Sequence, residues 1–148
     1  MATGLPGVDS LTLVTSEIDG QTLVALATAL FGQPPAFWGR YFTSPHTAKG
    51  GEYRHRLENR LLRDNNIRVL PIARQTNRVH GSEADGSADA RANVDDLFAT
   101  FGADYLASQG REVVMFLDVE PENPLSLAYY RGWATTLVAH SRDASDNR

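Results

Sequence analysis

The chain of 148 residues has no cysteine, which excludes a disulfide framework, a thiolate metal site and a cysteine nucleophile. The redox compartment stays open, because exported proteins can also lack disulfides. Excess charge is small: 14 basic against 18 acidic side chains give a net charge of −4 and a pI of about 5.5. A general nucleic-acid binder carries a basic face strong enough to reverse that balance, so no nucleic-acid partner is expected. Long apolar runs are missing too. The most apolar stretch, residues 23–31, is interrupted by Thr28 and is far shorter than the roughly 20 residues that cross a bilayer, so no membrane span is expected. The first ten residues, MATGLPGVDS, hold neither Lys nor Arg nor an apolar core, and do not read as a secretory signal. By default this places the chain in the cytoplasm, with localisation otherwise open.

Several motifs are absent as well. No GxSxG, HExxH, GxGxxG or Gly-Lys-Ser/Thr occurs, and Gly50-Gly51 is no phosphate loop. His46, His55, His80 and His140 lack metal-ligand spacing. No metal and no cofactor are expected. Arg54, Arg56, Arg60 and Arg63 alternate with Glu52, Glu58 and Asp64, the pattern of a solvated helix.

What is present is an ordinary globular composition, with 42% hydrophobic and 22% charged residues, arranged as strand-then-helix four times over. A strand over Leu11–Thr15 leads through Glu17-Ile18-Asp19-Gly20 into a helix over 21–31, stopped by Gly32, Pro34 and Pro35. A strand over 36–42 precedes a helix over 52–65, with Tyr53, Leu57, Leu61 and Leu62 near helical spacing. A strand over 67–73, with Pro71 tolerated only near its end or at a position whose N–H is not needed, precedes a polar loop from Gln75 to about Ala88 and a helix over 89–108. Val94, Leu97, Phe98, Phe101, Tyr105 and Leu106 line that helix, and Gly110 lies just beyond it. Finally Glu112–Glu120 reads as a strand buried on both faces, followed by a helix over 125–140 with Leu127, Tyr130, Trp133 and Leu137 on one face. The expectation is a single α/β domain over 1–148, with an ordered core at about 11–140 and a frayed tail at 141–148. A closed (β/α)₈ barrel takes about 250 residues, so four βα units make either an open sheet or half a barrel. Half a barrel leaves sheet edges bare and favours a homodimer or a partner chain that completes it.

The clearest chemistry lies at Phe116-Leu-Asp118-Val-Glu120-Pro-Glu122. Side chains alternate along a strand, so Asp118 and Glu120 share a side, roughly 6–7 Å apart. They stand at the carboxyl end, where parallel α/β folds place their sites. Such a pair can hold one group protonated as a general acid and the other ionised, as glycosidases do. Trp38, Tyr129, Tyr130 and Trp133 could stack on sugars, although helical spacing assigns the last three to the core.

The stretch from Phe116 to Trp133, with residues 36–42 and 67–72 upstream, resembles the glycoside-hydrolase-like family first catalogued as domain of unknown function 1906. That family is similar to the family 25 lysozymes, muramidases on a (β/α) barrel with Asp-x-Glu ending the fourth strand. The resemblance spans roughly Glu17 to Val138 and implies four βα units forming the amino-terminal half of a (β/α)₈ barrel. It implies Glu120 as general acid and Asp118 as the carboxylate that stabilises charge at the sugar, with Asp19 matching a further acid that ends the first strand. It also implies that Arg40, Tyr41, Arg74, Gln75 and Glu122 line the substrate mouth. The expected function is hydrolysis of peptidoglycan or a related polysaccharide. The alternatives are a glycan-binding or interaction module without turnover and a truncated barrel remnant. Many relatives are exported, which the resemblance extends to this chain.

Overall fold

A computed structural model describes residues 4–42, 51–75, 77–108 and 113–146. His46, Gly50, Gly110, Glu112, Asn147 and Arg148, all used in the reading above, lie outside them. The chain is a mixed α/β protein. Its elements are β1 (Gly7–Asp9), β2 (Glu17–Ile18), β3 (Gln21–Thr22), α1 (Leu23–Phe31), β4 (Phe37–Phe42), α2 (His55–Asp64), β5 (Arg68–Ala73), α3 (Glu83–Phe101), α4 (Ala103–Ser108), β6 (Phe116–Leu117) and α5 (Leu127–Asp146). Four strands form a parallel sheet in the order β1-β4-β5-β6, without reversal. Among the described residues no helix is long and apolar enough to cross a membrane. The chain divides into two compact units, built from the described residues of Met1–Tyr41 with Gly50–Ile72, and of Phe42–Lys49 with Ala73–Arg148.

In the first unit, the opening strand is not Leu11–Thr15 but Gly7–Asp9, which pairs Gly7 with Phe37, Val8 with Trp38 and Asp9 with Gly39. Complementary size explains the register. A Cβ on Gly7 would strike the Phe37 ring, and one on Gly39 would lie 2.8 Å from Asp9 Cβ and 2.6 Å from Ile72 Cδ1. Leu11–Thr15, despite its β-branched content, is bend and turn. Glu17–Thr22 is an antiparallel hairpin whose turn residues Asp19 and Gly20 have φ of 52° and 76°, the geometry that an Asp-Gly pair favours. Thr22 then caps α1 by accepting from the Ala25 N–H at 3.2 Å, and Gly32, at φ 72°, ends it. β4 is buried along nearly its whole length. On α2 the inward residues are Glu58 and Leu62, whereas Leu57 is exposed. The solvated-helix reading fails at Glu58, because its carboxylate meets the guanidinium of Arg40.

In the second unit, α3 begins six residues earlier than its apolar stripe suggests. Ser82 Oγ accepts from the Asp85 N–H at 3.2 Å while Asp85 Oδ2 accepts from the Ser82 N–H at 2.9 Å, a reciprocal capping box. Gly102 separates α3 from α4, so the expected single helix over 89–108 is two. α3 and α5 lie against each other so closely that a Cβ on Gly86 would enter the Tyr129 carbonyl and one on Gly132 the Glu83 carbonyl. The buried face of α5 is therefore Tyr129 and Trp133; Leu127 and Tyr130, expected beside Trp133, are exposed. α5 continues through Asp146, past the expected start of fraying, with Ser141 and Ser145 hydroxyls bonded back to the Val138 and Ser141 carbonyls.

The largest departure is β6. Only Phe116 and Leu117 are strand, and Val113, Val114, Phe116 and Val119 are exposed. With those four side chains exposed, the continuous apolar run does not signify cover on both faces. Pro71 lies inside β5 rather than at its end. Ala73, of the same parity, bonds through its carbonyl to the Asp118 N–H, so the N–H that Pro71 lacks falls on the side of this short edge strand.

Candidate functional site

The Asp118–Glu120 segment belongs to the second unit and is fixed at its root. The Asp118 N–H donates to the Ala73 carbonyl at 2.9 Å. Met115 and Leu117 pack against Ala73, Val79, Ala90, Tyr129 and Trp133, so alternation turns Phe116 and Asp118 to the opposite side. Asp118 is half-buried, while Glu120 and Glu122 are exposed. A turn follows in which the Glu120 carbonyl accepts from the Asn123 N–H at 3.0 Å. The loop ends at Ser126, whose N–H donates to the Val79 carbonyl at 2.9 Å and whose hydroxyl donates to the Gly81 carbonyl at 2.7 Å. The same hydroxyl accepts from the Tyr129 N–H at 3.0 Å and starts α5. Both ends of the acidic loop are thus pinned to residues 73–81.

Beneath that segment lie two polar networks that the sequence reading missed. Asp89, fully buried on α3, accepts from Arg78 Nε at 2.8 Å and from the Tyr129 hydroxyl at 2.9 Å. The guanidinium also reaches Asp85 at 3.3 Å. The hydrogen bond to Asp89 holds the Arg78 pKa above its ordinary value, against the opposing effect of burial. Burial, reinforced by the Asp89 charge, raises Tyr129 far above an ordinary phenol. Bonds from the Ser82 hydroxyl and N–H hold Asp85 below the usual carboxylate value. One turn on, Asn93 Oδ1 accepts from Gln75 Nε2 at 3.2 Å and from Trp133 Nε1 at 3.1 Å, while its Nδ2 donates to the Phe42 carbonyl at 3.1 Å. Asp89 and Asn93 stand at i and i+4 among Ala90, Val94 and Leu97. Two short polar residues on an apolar helical stripe were the available signal.

Gln75 is corrected by this geometry. It is fully buried and bonded to Asn93, so it supports the loop instead of lining a mouth. Arg74, half-buried, is anchored through its N–H to the Phe42 carbonyl at 3.3 Å.

In the first unit, Arg40 is likewise no mouth residue. Strand parity puts it with Trp38, and it is fully buried. Its guanidinium bonds the Ser10 carbonyl, the Glu52 carbonyl at 3.3 Å and Glu58 Oε1 at 3.2 Å. Nε stands 2.8 Å from Glu58 Oε2 without the alignment of a hydrogen bond, so charge attraction alone describes that contact. Tyr41 has the opposite parity, and its hydroxyl donates to Asp9 Oδ2 at 2.8 Å. The acid that ends the first strand is therefore Asp9. Asp19, expected there, sits in the β2–β3 turn. The misplacement follows from the misplaced strand, and Gly7-Val8-Asp9 carried too little β-branched content to be read as one.

No family model and no curated protein matches this chain. Among solved structures it is similar to the 1.07 Å crystal structure of an uncharacterized B. stearothermophilus protein, with a TM-score of 0.65 and 24% sequence identity. The similarity covers 93% of this chain and 57% of that one. It shows a shared fold, and this chain spans little more than half the length of the solved protein.

Proposed function

We propose that this chain is a glycoside-hydrolase-like protein of the half-barrel type, acting on peptidoglycan or a related polysaccharide. The observation that carries the reading is the placement of Asp118 and Glu120 just past the carboxyl end of β6, on a loop pinned at both ends. Parallel α/β folds put their chemistry at that end of the strands. The unreversed order β1-β4-β5-β6 supports the opening half of a (β/α)₈ barrel over a doubly wound sheet, whose order reverses at a switch point. Glu120 is assigned as the acid that protonates the glycosidic oxygen. Asp118, held by the backbone bond at its own N–H, is assigned as the carboxylate facing the oxocarbenium-like charge that develops as the bond breaks. Within the first unit, Asp9, oriented by the Tyr41 hydroxyl, ends the first strand where the resemblance expected Asp19.

One observation favours a second reading. A general acid at neutral pH works from a desolvated setting, and Glu120 is exposed. A glycan-binding module without turnover needs no such setting. Release of reducing ends from purified peptidoglycan, measured beside Glu120→Gln with both proteins shown to be folded by a cooperative melt, separates the two. Hydrolysis that the variant loses supports the enzyme. Glycan binding retained by both proteins without hydrolysis replaces it with the module, and neither hydrolysis nor binding refutes the glycan reading altogether.

A further inference from the structure

The helix α1 has the sequence LVALATALF, with no charged residue. A helix apolar on all sides is normally buried on all sides, yet only Val24 and Ala27 of α1 are buried. Ala25, Ala29, Leu30 and Phe31 are exposed, Leu30 at 78%. With half-buried Leu26, residues 25, 26, 29 and 30 form a continuous stripe at helical spacing. Just past the helix cap at Gly32 opens a cleft of about 460 Å³, lined among others by Leu5, Gln33, Pro34, Phe37 and Arg68.

We infer that α1 and this cleft are the surface by which the chain pairs with a second copy of itself. Two features of the first unit select that occupant. The stripe bears no charge, so two copies meet across a twofold axis without like-charge repulsion. The charges at the two ends of α1 are opposite. Glu17 and Asp19 in the hairpin before the helix are exposed and have no ion-pair partner among the described residues, and the same is true of Arg68 at the cleft. The helix is about 13.5 Å long at the usual rise, so an antiparallel pair brings the acidic hairpin of each copy to the Arg68 end of the other. The same exposed acids disfavour an anionic lipid surface as the occupant.

Sedimentation equilibrium of the whole chain across the micromolar range tests this. The wild type is expected at twice 16.2 kDa and Leu30→Glu at one chain mass, with unchanged circular dichroism, since Leu30 makes little packing contact to lose. Arg68→Glu weakens the dimer, and mixing it with a Glu17→Lys, Asp19→Lys chain restores pairing between the two. A monomeric wild type overturns the inference, as does a dimer indifferent to Leu30→Glu. A wild type that stays monomeric and sediments with phosphatidylcholine vesicles through Leu30 overturns it in favour of a lipid surface.

Discussion

The pair formed by Arg40 and Glu58 offers the sharpest test of the first unit. Both side chains are fully buried, and Glu58 does more than balance a charge. Its Oε2 accepts from the Val14 N–H at 3.1 Å and its Oε1 from the Arg54 N–H at 2.7 Å. Glu58→Ala leaves a guanidinium buried without its counter-ion, a change that costs about 3–5 kcal/mol in comparable cases. For a chain of this length each kcal/mol lowers Tm by about 2–4 °C, so the expected fall is about 6–20 °C. Replacing both partners, Arg40→Met with Glu58→Leu, removes the stranded charge. What remains is the buried Val14 N–H without an acceptor, about 1–3 kcal/mol, together with the Arg54 N–H and the Ser10 and Glu52 carbonyls, which lose their partners but strand no charge. The double variant should therefore be more stable than the single one. The two tryptophans make the assay local: Trp38 is buried in the first unit and Trp133 in the second. In a Trp133→Phe background, urea melts followed by fluorescence report the unit that holds the pair. A Glu58→Ala protein within about 1 kcal/mol of its parent, or a double variant no better than the single, refutes the reading of a dry, interdependent pair.

Gly86→Ala should destabilise by about 1–3 kcal/mol in a denaturant melt, the overpacking range, although Ala is the better helix former by about 1 kcal/mol; the new Cβ has to displace the Tyr129 carbonyl. Tyr129→Phe should cost about 1.5–3 kcal/mol, the range for a bond to a charged acceptor, and spectrophotometric titration of the wild type should find one phenol that does not ionise until the fold opens, because burial raises Tyr129. For Asp85 the folded pKa lies below the ordinary 3.8. Its contribution is then complete above pH 3.8 and lost as pH falls through the lower, folded value. The stability difference between wild type and Asp85→Asn should stay constant at neutral pH and shrink under acid, and a difference that grows there would reverse the sign argued here.

Periodicity located most elements and misjudged their ends and faces for identifiable reasons. β4 and β5 carry dense apolar runs bounded by turn residues, and the strands lie within one residue of those runs. α3 was cut short because its first turns, Glu83-Ala-Asp-Gly-Ser, hold no apolar stripe; a capping box and two glycine contacts with α5 keep them helical. The face of α5 differs by one position because hydropathy treats Tyr129 and Tyr130 alike. Only Tyr129 has a hydroxyl that can reach Asp89, and this bond, with the close approach at Gly132, chooses the side that is buried.

The candidate site divides along the same line. Asp118 and Glu120 were legible because they interrupt an apolar run at its carboxyl end, a purely local signal. Asp9 was not, because its strand exists by virtue of a partner: Gly7 and Asp9 are placed by the Phe37 ring and by the space that Gly39 leaves. Arg40 and Gln75 were misread for a related reason. A polar residue next to a strand end reads as a site residue unless its buried partner is known, and the partners, Glu58 and Asn93, lie 18 positions away in each case. Each partner sits on a helix at a position one turn from buried Leu62 or Leu97. A polar side chain at such spacing is sheltered from water by the helix that carries it, so the residue it bonds to is sheltered as well. The helical period marks Glu58 and Asn93 as sheltered, but it does not say which residue each one bonds; the fold does, by joining them to Arg40 and Gln75.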